Sequence, residues 1–120
     1  SQKKKIKTKK RTFTIEIFFD GIARFNFSDL CDVNIGAEDY VNISNNCKFI
    51  VIENIPKFDD YNINQQQRFI TLIDILYDKK IPLMVSSLSN LDEIGSSLFL
   101  KTTFKRTISR LYELTSSKKI

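Results

Sequence analysis

Two runs of alternating apolar and polar residues open the patterned part of the chain. Apolar side chains occupy every second position before and after Asp20-Gly21. A period of two is typical of a half-buried strand, and Asp-Gly favours a tight two-residue turn. The pattern therefore predicts a β-hairpin over residues 11 to 27. Its inward residues are expected to be Phe13, Ile15, Ile17, Ala23, Phe25 and Phe27.

A strand, a helix and a second strand are predicted in the middle of the chain. Phe49 to Ile52 is a continuous apolar run that ends at Glu53, and Ile81 to Val85 is another. Between them, Gln65 to Asp78 shows the 3.6-residue period of a helix. The apolar stripe of this helix is Phe69, Leu72, Ile73 and Leu76. This order of elements indicates a parallel pair of strands joined by a right-handed crossover.

Shorter elements complete the predicted fold. Ser28 caps a short turn, a short helix opens at Gly36, residues 86 to 103 are mainly loop, and a last helix covers Phe104 to Thr115. The fold class is α/β, with an N-terminal β-hairpin, a parallel βαβ unit and a C-terminal helix. We expect a single domain over residues 12 to 116 and a flexible end over 117 to 120. So small a sheet should leave one edge or one face uncovered.

Composition excludes several kinds of chemistry. The 120 residues include no histidine, which removes imidazole bases and histidine metal ligands. The two cysteines, Cys31 and Cys47, are too few for a four-cysteine zinc site. We expect buried thiols, although one disulfide stays open as an alternative. No apolar run approaches the roughly 18 residues that a membrane span needs.

Positive charge is concentrated at the N-terminal end. The net charge is +5, yet residues 1 to 11 alone carry six lysines and one arginine without an acid. The rest of the chain is therefore slightly acidic. So lysine-rich a segment has little apolar surface to bury, and we expect a disordered basic tail or linker over residues 1 to 11. It could bind nucleic acid in a salt-sensitive way, but a solvated tail is the favoured interpretation.

Candidate reactive residues are few. The three glycines are isolated, and neither GxxxxGK[ST] nor GxGxxG occurs in the chain. Glu53, Asp74 and Asp78 could act as acid, base or magnesium ligand, although a cap or an ion pair is favoured for each. Arg106 and Arg110 lie one helical turn apart on the last helix. Two arginines on one face repel each other unless an anion neutralises them, and their donor forks suit phosphate or carboxylate.

Five phrases of the sequence resemble the C-terminal third of the ZapE-type ATPases, also called AFG-one-like ATPases, a P-loop family of bacteria and mitochondria. They follow the family's order over about residues 12 to 116. The phrases are FNFSDLC at 25 to 31, GAEDY at 36 to 40, Ile55-Pro56, RFITLIDILYD at 68 to 78, and FKRTISRLYEL at 104 to 114. The fourth and fifth are the most specific.

The resemblance implies the C-terminal part of a P-loop ATPase fold. Complete members hydrolyse ATP with magnesium; bacterial members act on the division ring, and mitochondrial ones handle respiratory-chain proteins. The family's Walker A and Walker B motifs lie upstream of the matched part, so this chain alone is expected to bind no nucleotide cofactor. Expected partners are an upstream ATPase half or further copies of the chain, together with a protein substrate. The implied location is the bacterial cytoplasm, with mitochondria as the alternative.

Two further hypotheses concern the site and the function. Arginine chemistry suggests that Arg106 and Arg110 are sensor or intersubunit finger residues. The alternative to an ATPase part is a non-catalytic interaction module or a truncated remnant.

Overall fold

The computed structural model describes residues 2–8 and 10–116. These residues form five strands and four α-helices, with one 3₁₀ turn at Leu91–Glu93. The strands are β1 (Gln2–Lys7), β2 (Thr12–Phe19), β3 (Ile22–Asn26), β4 (Phe49–Ile55) and β5 (Leu83–Ser87). The helices are α1 (Phe27–Cys31), α2 (Ala37–Asn45), α3 (Ile63–Asp78) and α4 (Lys101–Thr115). The α/β class and the order of the main elements are as predicted.

All five strands form one mixed sheet in the order β1-β2-β3-β4-β5. The predicted hairpin is β2 and β3, which pair antiparallel around Asp20-Gly21. The predicted parallel pair is β4 and β5. In addition, β3 runs parallel to β4, so the hairpin supplies a third parallel strand. The chain therefore contains two crossovers in succession, one through α1 and α2 and one through α3.

The basic N-terminal segment differs from the expected disordered tail over residues 1 to 11. Within its described part, Gln2–Lys7 form β1, which pairs antiparallel with β2. Backbone pairing gives the segment the hydrogen bonds that it lacks alone, and Ile6 is buried in the core. The lysines lie on an edge strand, where charge discourages further strand pairing.

A β-bulge reverses the orientation of Ile17. Ile15 pairs with Lys4, but Phe18 pairs with Gln2, so two residues of β2 lie opposite Lys3. The extra residue shifts the side-chain alternation. Phe18 therefore packs against the core, whereas Ile17 is 42% exposed on the other face. The prediction of Ile17 as an inward residue was wrong for this reason.

The core lies between one face of the sheet and the helices. Seven residues of β2 to β5 are at most 4% exposed and belong to this core. They are Ile15, Ala23, Phe25, Ile50, Ile52, Ile55 and Leu83. The predicted stripe of α3 is fully buried against them. An aromatic cluster of Phe27, Phe58, Phe69 and Phe104 then joins α1, α3 and α4, with ring centroids 5.4 to 6.4 Å apart in its contacting pairs.

The starts of α1 and α4 differ from the prediction. The N-cap of α1 is Asn26 rather than Ser28, and the Asn26 N–H donates to the Asp29 carboxylate over 3.4 Å. Helix α4 begins at Lys101, three residues before the predicted start.

The loop in front of α4 is fixed by Gln66, a fully buried residue of α3. Its amide donates to the Ser96 hydroxyl (2.8 Å) and accepts from the Ser97 N–H (3.0 Å).

The same loop depends on a glycine in a left-handed conformation. Gly95 has φ +78°, and a Cβ there would lie 2.9 Å from the Phe58 carbonyl oxygen. Gly36, by contrast, has extended backbone and open space around its Cα. We expect Gly95→Ser to lower the free energy of unfolding by about 1 to 3 kcal/mol. The control Gly36→Ser should be neutral or slightly stabilising, since serine is a good N-cap. Urea denaturation measures both, and equal effects would contradict the assignment.

Candidate functional site

The two predicted arginines meet on one carboxylate. Arg110, on α4, donates from Nη1 to Asp74 Oδ1 of α3 over 2.7 Å. Arg106 lies one turn earlier, with Nη2 3.6 Å from the other oxygen, Oδ2. Asp74 therefore supplies the anion that two stacked arginines need, and it joins the last helix to the buried one.

The surroundings of the two arginines differ. The Arg110 side chain is 26% exposed, and its guanidinium also lies over the Tyr77 ring at 4.6 Å from the centroid. The neighbouring Glu113 side chain is the main cause of a raised pKa for Tyr77. The Arg106 side chain is 56% exposed, and among the described residues its ion pair is the longer one with Asp74. Arg110 is thus held between a carboxylate and an aromatic ring, whereas more than half of the Arg106 side chain faces solvent.

Two cations and one acid meet directly at this contact. Two guanidinium groups share the Asp74 carboxylate, which directs one oxygen to each. Glu113 and Asp78 act on the neighbouring Tyr77, so further acidic groups surround the pair, and Arg106 is the more exposed arginine. Chemically, this arrangement can place one arginine on an incoming phosphate or carboxylate while the other maintains the contact between the helices.

Glu53 forms a separate ion pair at the carboxyl end of β4. Arg24 of β3 donates to it through Nε (2.7 Å) and Nη2 (2.8 Å), one bond to each oxygen. These hydrogen bonds lower the pKa of Glu53 and raise that of Arg24. Glu53 is therefore ionised at neutral pH, which suits an ion pair better than a general acid or base.

Three further polar residues lie beside Glu53 and were not singled out from the sequence. Asn54 has φ +63°, and its N–H donates to the Ser86 hydroxyl over 3.0 Å. Its side-chain amide donates to the side-chain oxygen of Asn26, Oδ1, over 2.7 Å. The register of β4 against β5 shifts at this point. Carboxyl ends of parallel strands are where open α/β sheets bind ligands, and left-handed backbone at a non-glycine residue concentrates at functional sites.

The remaining candidates do not join either cluster. Asp78 is exposed at the end of α3. Arg68, at the start of the RFITLIDILYD phrase, donates to the Cys31 carbonyl oxygen over 3.2 Å. Glu53 is paired with Arg24, and Asp74 with both Arg106 and Arg110. Within residues 2–8 and 10–116, no three histidine, cysteine or acidic side chains are grouped as a metal site would require.

The two thiols are buried and free, as expected. Burial raises the pKa of Cys31 to about 12 and that of Cys47 to about 11. Neither thiol is therefore a reactive nucleophile at neutral pH. Across the described part of the chain, no helix combines the length and apolar character of a membrane span.

A family model and several known proteins match this chain. The family model described as AFG1-like ATPase matches residues 1–120. The cell division protein ZapE of Escherichia coli K12 is 31% identical over 91 residues, which cover 76% of this chain and 24% of that protein. Lactation elevated protein 1 homolog B of Danio rerio is 34% identical over 73 residues, or 61% of this chain and 14% of that protein. The chain thus spans less than a quarter of each relative, and no solved structure gives a significant match.

The different surroundings of the two arginines lead to different expected effects on stability. We expect Arg110→Ala to lower the free energy of unfolding by about 1 to 2 kcal/mol, because it removes the short bond to Asp74 and the contact with Tyr77. Arg106→Ala should change it by less than about 0.5 kcal/mol, as for other exposed ion pairs. Urea denaturation at neutral pH measures both. Equal losses would show that the two residues have the same structural role.

The Arg24 and Glu53 pair should give a pH-dependent stability. Because the pKa of Glu53 is lowered in the fold, its contribution is present above the ordinary glutamate pKa and is lost as pH falls through the lowered value. Arg24→Gln should therefore destabilise the chain at pH 7 and do so less at pH 3. The control is Lys48→Gln, which removes an exposed 3.4 Å pair with Asp20. A destabilisation by Arg24→Gln that is the same at both pH values would contradict the pairing.

Proposed function

Since the chain belongs to the AFG1-like ATPase family, we propose that it is the C-terminal part of a ZapE-type ATPase and acts in ATP hydrolysis together with the family's P-loop part. The family match over residues 1–120 carries this proposal. An ATPase needs a phosphate-binding loop, and this sequence has no GxxxxGK[ST] motif. The relatives are more than four times longer than their matched segments, so the remainder of such a protein can supply that loop.

Within this proposal, the two arginines have different roles. Arg106 is the residue that reaches an anionic group, either a nucleotide phosphate or a carboxylate of a neighbouring chain. Its exposed fork and its single long contact support this role. Arg110 is a positioning residue, because Asp74 and Tyr77 hold it while it fixes the turn of α4 that carries Arg106. Magnesium and ATP belong to the complete ATPase.

The cellular role proposed for the complete protein follows its relatives. The name of the Escherichia coli relative assigns that protein to cell division. We propose a role in cell division or in protein quality control, acting on a protein substrate in the bacterial cytoplasm, with a mitochondrial location as the alternative.

A non-catalytic interaction module is the second candidate. The pairing of Glu53 with Arg24 and of Asp74 with two arginines favours it, since neither carboxylate is then a free acid or base. This candidate predicts partner binding that does not respond to nucleotide.

Reconstitution tests the proposal. The chain alone should not hydrolyse ATP, and adding it to the P-loop part should raise turnover by about tenfold or more, since a missing arginine in this class of enzyme costs at least that much. Arg106→Ala should abolish most of the gain without loss of stability. The matched control is Lys105→Ala, which removes the neighbouring exposed cation. No hydrolysis in the mixture would contradict the ATPase role, and full activity with Arg106→Ala would contradict the role of that arginine.

A further inference from the structure

One face of the sheet exposes large apolar side chains. We call it the open face and define it by Ile17, Phe19, Ile22, Phe49, Val51 and Met84. Phe19 is 69% exposed and Met84 is 59% exposed, while Ile17 and Ile22 are 42% and 43% exposed. Single exposed apolar residues are normal, but a contiguous patch marks an interaction surface.

The strand register shows that the patch is contiguous. Ile17 pairs with Arg24, Arg24 with Val51, and Val51 with Met84, which makes one row across four strands. The adjacent row is Phe19, Ile22 and Phe49. Paired residues point to the same face, so both rows lie on one side of the sheet.

The patch also continues around the outer edge of β5. Met84 and Phe49 line a groove of about 1160 Å³ together with Tyr77 and Leu114, and the charged residues Lys80 and Glu113 also line it. Among the described residues, β5 has no strand partner on that edge. The apolar surface therefore extends from the flat face of the sheet to the outer edge of β5.

The topology accounts for the open face. The crossovers from β3 to β4 and from β4 to β5 each move one strand in the same direction. Because such crossovers are right-handed, both place their helices on the same side of the sheet. Parallel strands in α/β proteins are nevertheless covered on both faces. The described helices cover only one face of β3, β4 and β5.

We propose that the open face is the surface on which the P-loop part of the ATPase packs, an inference that rests on the proposed function. The relatives contain more than three quarters of their length outside the matched segment, which is ample to cover a sheet face. The charges within the rows also fit an apolar neighbour. Arg24, the one charged residue within the two rows, is neutralised by Glu53.

The occupant is thus a largely apolar surface of the same ATPase, whether on the same polypeptide or on another. A second copy of this chain is the competing occupant. It would stack two open faces against each other and would require no P-loop part.

The experiment measures binding of the chain to the P-loop part by titration calorimetry, with ATP turnover assayed in the same mixtures. The test variants Phe19→Lys and Met84→Lys each place a charge in the patch. Both positions are mostly exposed in the free chain, so folding should be retained, and circular dichroism checks this. The matched controls are Leu98→Lys and Phe99→Lys, at residues that are 78% and 80% exposed outside the sheet.

We expect each test variant to weaken binding by about 30-fold or more, and the controls to bind like the unaltered chain. Unchanged binding by Phe19→Lys and Met84→Lys overturns the proposal, as does an equal loss in the controls. Analytical sedimentation of the chain alone tests the competing occupant, a second copy of this chain. If the chain alone dimerises and Met84→Lys abolishes the dimer, the open face is a self-association surface and the proposal fails.

The two readouts separate this inference from the proposed function. If binding depends on the open face but no ATP is hydrolysed, the docking surface is supported and the ATPase role is contradicted. If Phe19→Lys and Met84→Lys leave turnover unaffected, the ATPase role is supported and the docking surface is contradicted. An unaltered chain that neither binds nor stimulates turnover contradicts both.

Discussion

The handedness of two consecutive crossovers is the constraint on which the rest of the structure depends. Right-handed connections from β3 to β4 and from β4 to β5 place α1, α2 and α3 on one side of the sheet. One face therefore gains a continuous core, with Ile15, Ile50 and Ile52 fully or almost fully buried. The other face keeps Phe19 and Met84 in solvent. This asymmetry between a packed face and an apolar face is the basis of the proposed docking surface.

The contact between α3 and α4 carries the candidate chemistry. Phe69 and Phe104 give this contact its apolar part, with ring centroids 6.4 Å apart. Asp74 gives it its polar part, because one carboxylate neutralises Arg110 and faces Arg106. The same interaction that fixes the last helix thus leaves one exposed guanidinium at its surface. The structural role and the proposed functional role therefore fall on two residues one turn apart.

Local periodicity predicted most of the elements but not how they are combined. The alternation around Asp20-Gly21 and the stripe of α3 were sufficient to predict the hairpin and the helix, because the buried face of each element follows from its own residues. The bulge that turns Ile17 outward was missed, since it depends on pairing with β1. Gln2–Lys7 was expected to be disordered because a lysine-rich segment has no stabilising partner in isolation. The charge argument did imply an anion beside Arg106 and Arg110, but only the packing of α4 on α3 identified it as Asp74.

Oxidation of Met84 by hydrogen peroxide tests the uncovered sheet face most directly. Met84 is the only methionine of the chain and lies in the row that crosses β2 to β5. Sulfoxide formation depends on exposure, and mass spectrometry follows it at this one site. The account predicts that the folded chain alone is oxidised nearly as fast as the unfolded chain, and that the bound P-loop part slows the reaction about tenfold or more. Slow oxidation of the folded chain alone, or no protection in the complex, would contradict it.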